Sequence, residues 1–76
     1  MEFVKVESSN VKEVAWENNE LYVIYNGDNC YKYEDVPKEV YDKLLLSESK
    51  GKFMNSEVKN KYNYKKLIVL TEQINK

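Results

Sequence analysis

Asn26-Gly27 stands between two runs of strand-forming residues, Leu21–Tyr25 and Cys30–Glu34. Both residues of the pair tolerate positive φ, and the dipeptide between β-rich segments is the strongest short signal for a hairpin. Along the second run Tyr31 and Tyr33 share one face, while Cys30, Lys32 and Glu34 share the other, because side chains alternate along a strand. Upstream the device repeats. Asn18-Asn19 separates Leu21–Tyr25 from a segment carrying Val14 and Trp16 at period two, and asparagine also fits a two-residue hairpin turn. Earlier still, Phe3, Val4 and Val6 begin an extended segment that Ser8-Ser9-Asn10 interrupts with short, turn-favouring side chains. The expectation is an antiparallel meander of three to four strands.

After Glu34 the period changes. Pro37 suits the first turn of a helix, where its missing N–H costs nothing. That puts Asp35 or Val36 at the cap, with Asp35 chemically the better of the two. Val40, Tyr41, Leu44 and Leu45 recur at helical spacing and should pack on the sheet, and Gly51 is the expected C-terminal stop. Asn55 is the expected cap of a second, shorter helix, with Glu57 in its first turn and Val58 and Tyr62 at i, i+4. Lys65–Leu70 reads as a late strand, and Leu67–Ile74 reads equally well as a terminal helix. The fold class is therefore α+β: a meander, two short helices and an ambiguous C-terminal segment, all in one domain spanning residues 1–76. There is no internal repeat or linker.

Composition narrows the chemistry. The 76 residues include no histidine, which removes histidine general bases, nucleophilic dyads and metal ligands. The single thiol, Cys30, can form neither a zinc site nor an internal disulfide, so a reducing cytoplasm is the expected compartment. The longest apolar run, Leu67–Leu70, is far short of the roughly 18 residues of a membrane span, and Met1-Glu2-Phe3 does not open a signal segment. Asp28, Glu34 and Asp35 lack the spacing of a calcium loop. Lys50-Gly51-Lys52 contains Gly-Lys but not the phosphate-loop spacing, since no glycine lies five residues earlier and no Ser or Thr follows Lys52. Neither a metal nor a cofactor is expected. What remains is a module that binds rather than catalyses.

Charge says where. Residues 1–37 hold three lysines against eight acids, and residues 38–76 hold nine lysines against five. Lys50, Lys52, Lys59, Lys61, Lys65 and Lys66 crowd one stretch with a single acid, Glu57. Those lysines are candidates for phosphate contact, with Ser49, Gly51 and Asn55 as a milder candidate for holding one phosphate at a helix start. Tyr31, Tyr33, Phe53 and Tyr62 are candidates for stacking on unpaired bases, with Tyr64 also beside the lysines. Each has a plainer reading. The lysines also suit a solvated helix face, the Ser49–Asn55 stretch a helix–helix turn, and the tyrosines a buried strand face.

One ordered series carries a resemblance. It runs Val6-Glu7-Ser8-Ser9-Asn10-Val11, Leu21-Tyr22-Val23, Gly27, Tyr31-Lys32-Tyr33, Val36-Pro37-Lys38-Glu39-Val40-Tyr41, Ser49-Lys50-Gly51-Lys52-Phe53, Asn55, Val58 and Tyr62. The series resembles the KTSC domain, whose usual signature is a central Tyr-x-Tyr, and covers about residues 4–66, leaving 67–76 as an extension. Trp16-Glu17 stands where the family more often has Tyr-Asp, and Ser47 where it has a small apolar residue. The family occurs at the C-terminus of some lysyl-tRNA synthetases and as a free-standing bacterial or phage protein. The resemblance implies a small α+β module, with RNA, transfer RNA included, or a nucleotide as ligand. The alternative is a protein–protein interaction module, such as a phage-encoded modulator of a host protein, docking through the acidic N-terminal half.

Overall fold

Asn18 and Asn19 both adopt positive φ, 53° and 64°, and close a two-residue turn between Glu17 and Glu20. This turn joins β2 (Val11–Glu17) to β3 (Glu20–Tyr25). Gly27, at φ 90°, lies in the next connection, where Tyr25 pairs with Asn29 and so leads into β4 (Asn29–Tyr33). The computed structural model describes residues 2–27 and 29–67. With β1 (Val4–Lys5) on one side and β5 (Tyr64–Leu67) on the other, these strands form one antiparallel sheet in the order β1-β2-β3-β4-β5. Among the described residues the meander therefore has five strands, not three or four. The extra ones are short edges, the first of two residues and the last of four. Of the two expectations for the C-terminal segment, Lys65–Leu67 is strand; residues 68–76 lie outside the described residues, as does Asp28.

One face of the sheet carries the core. Val14, Leu21, Val23 and Tyr33 are buried there. Val11 joins them although it lies three residues from Val14, because the β2–β3 register shifts between Val11 and Glu13. Such a bulge adds one residue to a strand and re-aims what precedes it. Over this face pack Val36, Leu44, Met54 and Val58, all buried, with Val40, Tyr41 and Leu45 partly buried beside them. The helical spacing of Val40, Tyr41, Leu44 and Leu45 thus does face the sheet.

The helical half departs from the expected caps. Val36 is pinned to the sheet, its N–H donating to the Asn19 carbonyl at 2.8 Å and its own carbonyl accepting from the Trp16 indole at 2.8 Å. Asp35 must turn the chain just before that anchor and does so at φ 58°. It therefore cannot cap, and neither does Val36. Pro37 occupies the cap position of α1 (Lys38–Leu46) without any side-chain bond. Ser47, not Gly51, ends α1, with its N–H and its hydroxyl both directed to the Leu44 carbonyl. Gly51 lies inside α2 (Lys50–Phe53), which Ser49 rather than Asn55 caps by accepting from the Lys52 N–H. Asn55 belongs to the wider turn that follows, Met54–Val58, which closes with the Lys59 N–H donating to the Met54 carbonyl at 2.8 Å. That bond spans five residues, the signature of a π turn. Among the described residues, no helix is long and apolar enough to cross a membrane.

Candidate functional site

The helices cover only part of the sheet face, and where they stop a cleft opens. Alternation puts Leu21, Val23 and Tyr25 on one side of β3, and Tyr31 and Tyr33 on the matching side of β4. On β5, Tyr64 pairs with Tyr33 and Lys66 with Tyr31, which brings a further tyrosine to the same side. The π turn ends next to them and delivers Lys59, whose ammonium lies 5.1 Å from the centre of the Tyr25 ring. A one-residue widening of a helical turn rotates everything after it, and such turns recur at functional sites. The result is a cleft of about 430 Å³ lined by Tyr25, Tyr31, Tyr33 and Tyr64 together with Asn29, Lys59 and Asn60.

Its aromatic walls are in mutual contact. The Tyr31 and Tyr33 rings are near-parallel at 6.4 Å, Tyr64 lies 5.5 Å from Tyr31 and 5.7 Å from Tyr33, and Tyr25 meets Tyr31 edge-on at 5.5 Å. Their exposures divide the labour. Tyr33 is only 2% exposed and forms the floor, its hydroxyl 2.7 Å from that of Tyr25. Tyr64 is 55% exposed and offers an open ring face, with half-buried Tyr31 beside it. Burial pushes the Tyr25 and Tyr33 phenols up from their ordinary value, with the hydrogen bond to Tyr33 a further cause at Tyr25. Both stay neutral at physiological pH, so the charge beside these rings is that of Lys59.

A second, polar pocket of about 260 Å³ continues from the first and shares Tyr25 and Lys59 with it. Its other walls are Asn10, Asn26, Gly51 and Asn55. Gly51 lets α2 come close here: a Cβ at that position would lie 3.0 Å from the Asn10 side-chain nitrogen. The Asn26 N–H donates to the Asn10 carbonyl at 2.9 Å, and the Asn26 side-chain amide donates to the Ser9 carbonyl.

The candidate residues from the sequence thus fall into separate groups. Tyr31, Tyr33 and Lys59 meet in the aromatic cleft, and Gly51 and Asn55 join Lys59 in the polar pocket. Phe53, Lys61 and Tyr62 line a different groove, with Val40, Lys43, Ser56 and Glu57. Lys61 there pairs with Glu57 at 3.1 Å. Ser49 caps α2, and the Lys50 ammonium donates to the Ser47 carbonyl at 2.7 Å, so both serve the turn between the helices. Lys52 is exposed on α2. Lys65 and Lys66 lie on the edge strand β5, Lys65 within 3.8 Å of Glu34, and charges on an edge also discourage pairing with other chains. Cys30 sits half-buried on the opposite face, and burial pushes its thiol up, away from nucleophilic character. Tyr25 is the stacker that the candidate set lacks, while Tyr64, expected beside the lysines, does enter the cleft. Tyr25 was within reach, since period two from Leu21 through Val23 carries on to it.

The sequence profile of the KTSC domain matches residues 7–62. A curated protein of Tsukamurella paurometabola, known simply as a protein, is 39% identical over 59 residues, which cover 75% of this chain and 88% of the relative. The crystal structure of a KTSC domain protein from Yersinia pestis matches with a TM-score of 0.85 at 23% identity, covering 88% of this chain and 97% of that one. At that identity the likeness speaks for the fold. The matched span contains Tyr31, Tyr33, Asn55 and Lys59 and stops short of Tyr64.

Proposed function

The chain belongs to the KTSC domain family, and from that premise we propose that it is a non-catalytic binding module for single-stranded RNA or a nucleotide, working in the reducing cytoplasm. The observation that carries this reading is Lys59 beside the open Tyr64 and Tyr31 rings in one cleft. Unpaired bases present flat π faces, and proteins hold them by stacking on aromatic side chains next to cations that meet the phosphate. Neutral phenols serve stacking better than phenolates would, since a phenolate would repel phosphate. The lining of the cleft supports the non-catalytic part of this reading. Among the described residues no carboxylate lines the cleft, and the raised phenols are poor proton acceptors at neutral pH.

Fluorescence anisotropy of labelled single-stranded RNA and transfer RNA, at two salt concentrations, tests the reading. Wild type should bind more weakly at the higher salt. Tyr64→Ala should weaken binding about tenfold, in line with one lost stacking contact, and Lys59→Glu should weaken it further. Both positions are exposed, so the variants should keep the fold, which circular dichroism would verify. An absence of binding at low salt, or variants that bind like wild type, overturns the proposal and moves the search to protein partners.

A further inference from the structure

The polar pocket next to the aromatic cleft has a composition of its own. Three of its six lining residues are asparagines, Asn10, Asn26 and Asn55, and none is acidic. Each carboxamide offers an acceptor and two donors at fixed spacing, the arrangement that reads a base edge in pairs of hydrogen bonds. Two of the three are held from the sheet side. Asn26 has committed one amide N–H to the Ser9 carbonyl, leaving its oxygen and its other N–H to offer, and the Asn10 amide lies against Gly51. Asn55 is exposed on the π turn, free to adjust from the opposite wall. Lys59 stands between this pocket and the aromatic cleft, since it lines both.

We infer that the two pockets hold consecutive nucleotides, with the linking phosphate at Lys59, and that the asparagine pocket selects a purine. This rests on the nucleic-acid reading above and adds the second subsite. A purine presents N7 beside an exocyclic group on one edge, which a carboxamide meets with two hydrogen bonds when that group is the adenine amine. Lysine meets the guanine counterpart of the same edge. Adenine offers a carboxamide two such edges, its amine with N7 and its amine with N1, whereas uracil and cytosine each offer only their Watson–Crick edge, so asparagines on opposite walls of the pocket can hold a purine from both sides. The stacking cleft is indifferent by comparison, because every base has a π face. Selectivity and affinity therefore reside in different residues.

Anisotropy titrations with five-nucleotide homopolymers of adenine, uracil and cytosine would separate the two. Wild type should favour the adenine oligomer over both pyrimidine oligomers by roughly tenfold, the discrimination of one good bidentate contact. Asn55→Ala, exposed and thus tolerated by the fold, should cut that ratio to near one by weakening the adenine complex alone. Asn10→Ala should do the same from the other wall, keeping the backbone bond to Asn26. Tyr64→Ala should weaken all three oligomers alike. Equal binding of the three by wild type, or a ratio that survives both asparagine variants, overturns the second subsite while the nucleic-acid reading stands. No binding of any oligomer overturns both.

Discussion

The hydroxyls of Tyr25 and Tyr33 lie 2.7 Å apart, although the two residues are not register partners: Tyr25 pairs with Asn29 and Tyr33 with Leu21. The bond thus runs diagonally across β3 and β4, beneath the cleft that the two rings help to line. It lets the Tyr33 phenol be buried and the Tyr25 phenol half-buried on an otherwise apolar face, because each supplies the other's polar partner. Breaking it from one side should therefore cost more per hydroxyl than removing both. Tyr33→Phe and Tyr25→Phe should each destabilise the domain by about 1–2 kcal/mol, the cost of stranding a buried hydroxyl. The double variant should lose less than the sum, by about 1 kcal/mol. Urea denaturation of the four proteins closes the cycle, and strict additivity would show the bond to be energetically silent.

The same pair sets a pH dependence. Burial holds the Tyr25 and Tyr33 phenols above their ordinary 10.0. As pH rises past about 10 the unfolded chain releases those protons while the folded one retains them, so protons bound favour the native state. Their contribution is fully present below about pH 10 and is lost above it. With no histidine in the chain, no side chain is expected to titrate near neutrality from its ordinary value. The denaturation midpoint should accordingly stay level from about pH 6 to 8 and fall above about pH 10, and Tyr25→Phe should make that fall shallower. A midpoint that is level through the alkaline range would contradict the assignment.

Those tyrosines also show what the sequence can and cannot disclose. The face they share was legible from period two and the turn pairs on either side of β3, as was the helix face of Val40, Tyr41, Leu44 and Leu45. Short-range chemistry governs both. Long-range contacts govern what was not legible. Asp35 has the chemistry of a cap, yet Val36 is tied to Asn19 and Trp16, distant in the chain, and the chain must turn at Asp35 to meet them. Gly51 looks like a helix stop, but its missing side chain makes room for Asn10, some forty positions away in the chain. The π turn that aims Lys59 at Tyr25 leaves no local signal, because one added residue per turn is compatible with ordinary helix formers. Hence the lysines looked alike in sequence, and only the turn geometry sets Lys59 apart.

The turn at Asn18-Asn19 gives a test of local chemistry alone. Both residues hold positive φ, which a Cβ opposes by roughly 1–2 kcal/mol and which asparagine tolerates better than most. Asn19→Ala should cost about 1 kcal/mol and lower the melting temperature by about 4–8 °C for a domain of this size. Asn19→Gly should match or exceed wild type, since glycine meets that φ without strain. Its carbonyl would still accept from Val36, so the anchor before α1 is kept. Thermal melts followed by the fluorescence of Trp16, the chain's single tryptophan, would rank the three proteins; an alanine variant as stable as wild type would deny that φ at this turn is costly.

Lys59 and Lys61 offer the sharpest contrast between a positioned cation and a merely local one. They are two residues apart and equally charged, but Lys59 faces the Tyr25 ring at 5.1 Å while Lys61 pairs with Glu57 at 3.1 Å in another groove. If a phosphate sits at Lys59, neutralising that side chain removes one counterion-releasing contact. The logarithm of the binding constant against the logarithm of salt should then lose about 0.7 of its slope, the share of one phosphate on a single strand. Lys59→Met should show that loss. Lys61→Met should leave the slope unchanged and free Glu57, which lies outside the cleft. Titrations of labelled single-stranded RNA at several salt concentrations measure both slopes directly. Equal losses from the two variants would mean that the RNA responds to net charge alone and that the geometry around Tyr25 confers nothing on Lys59.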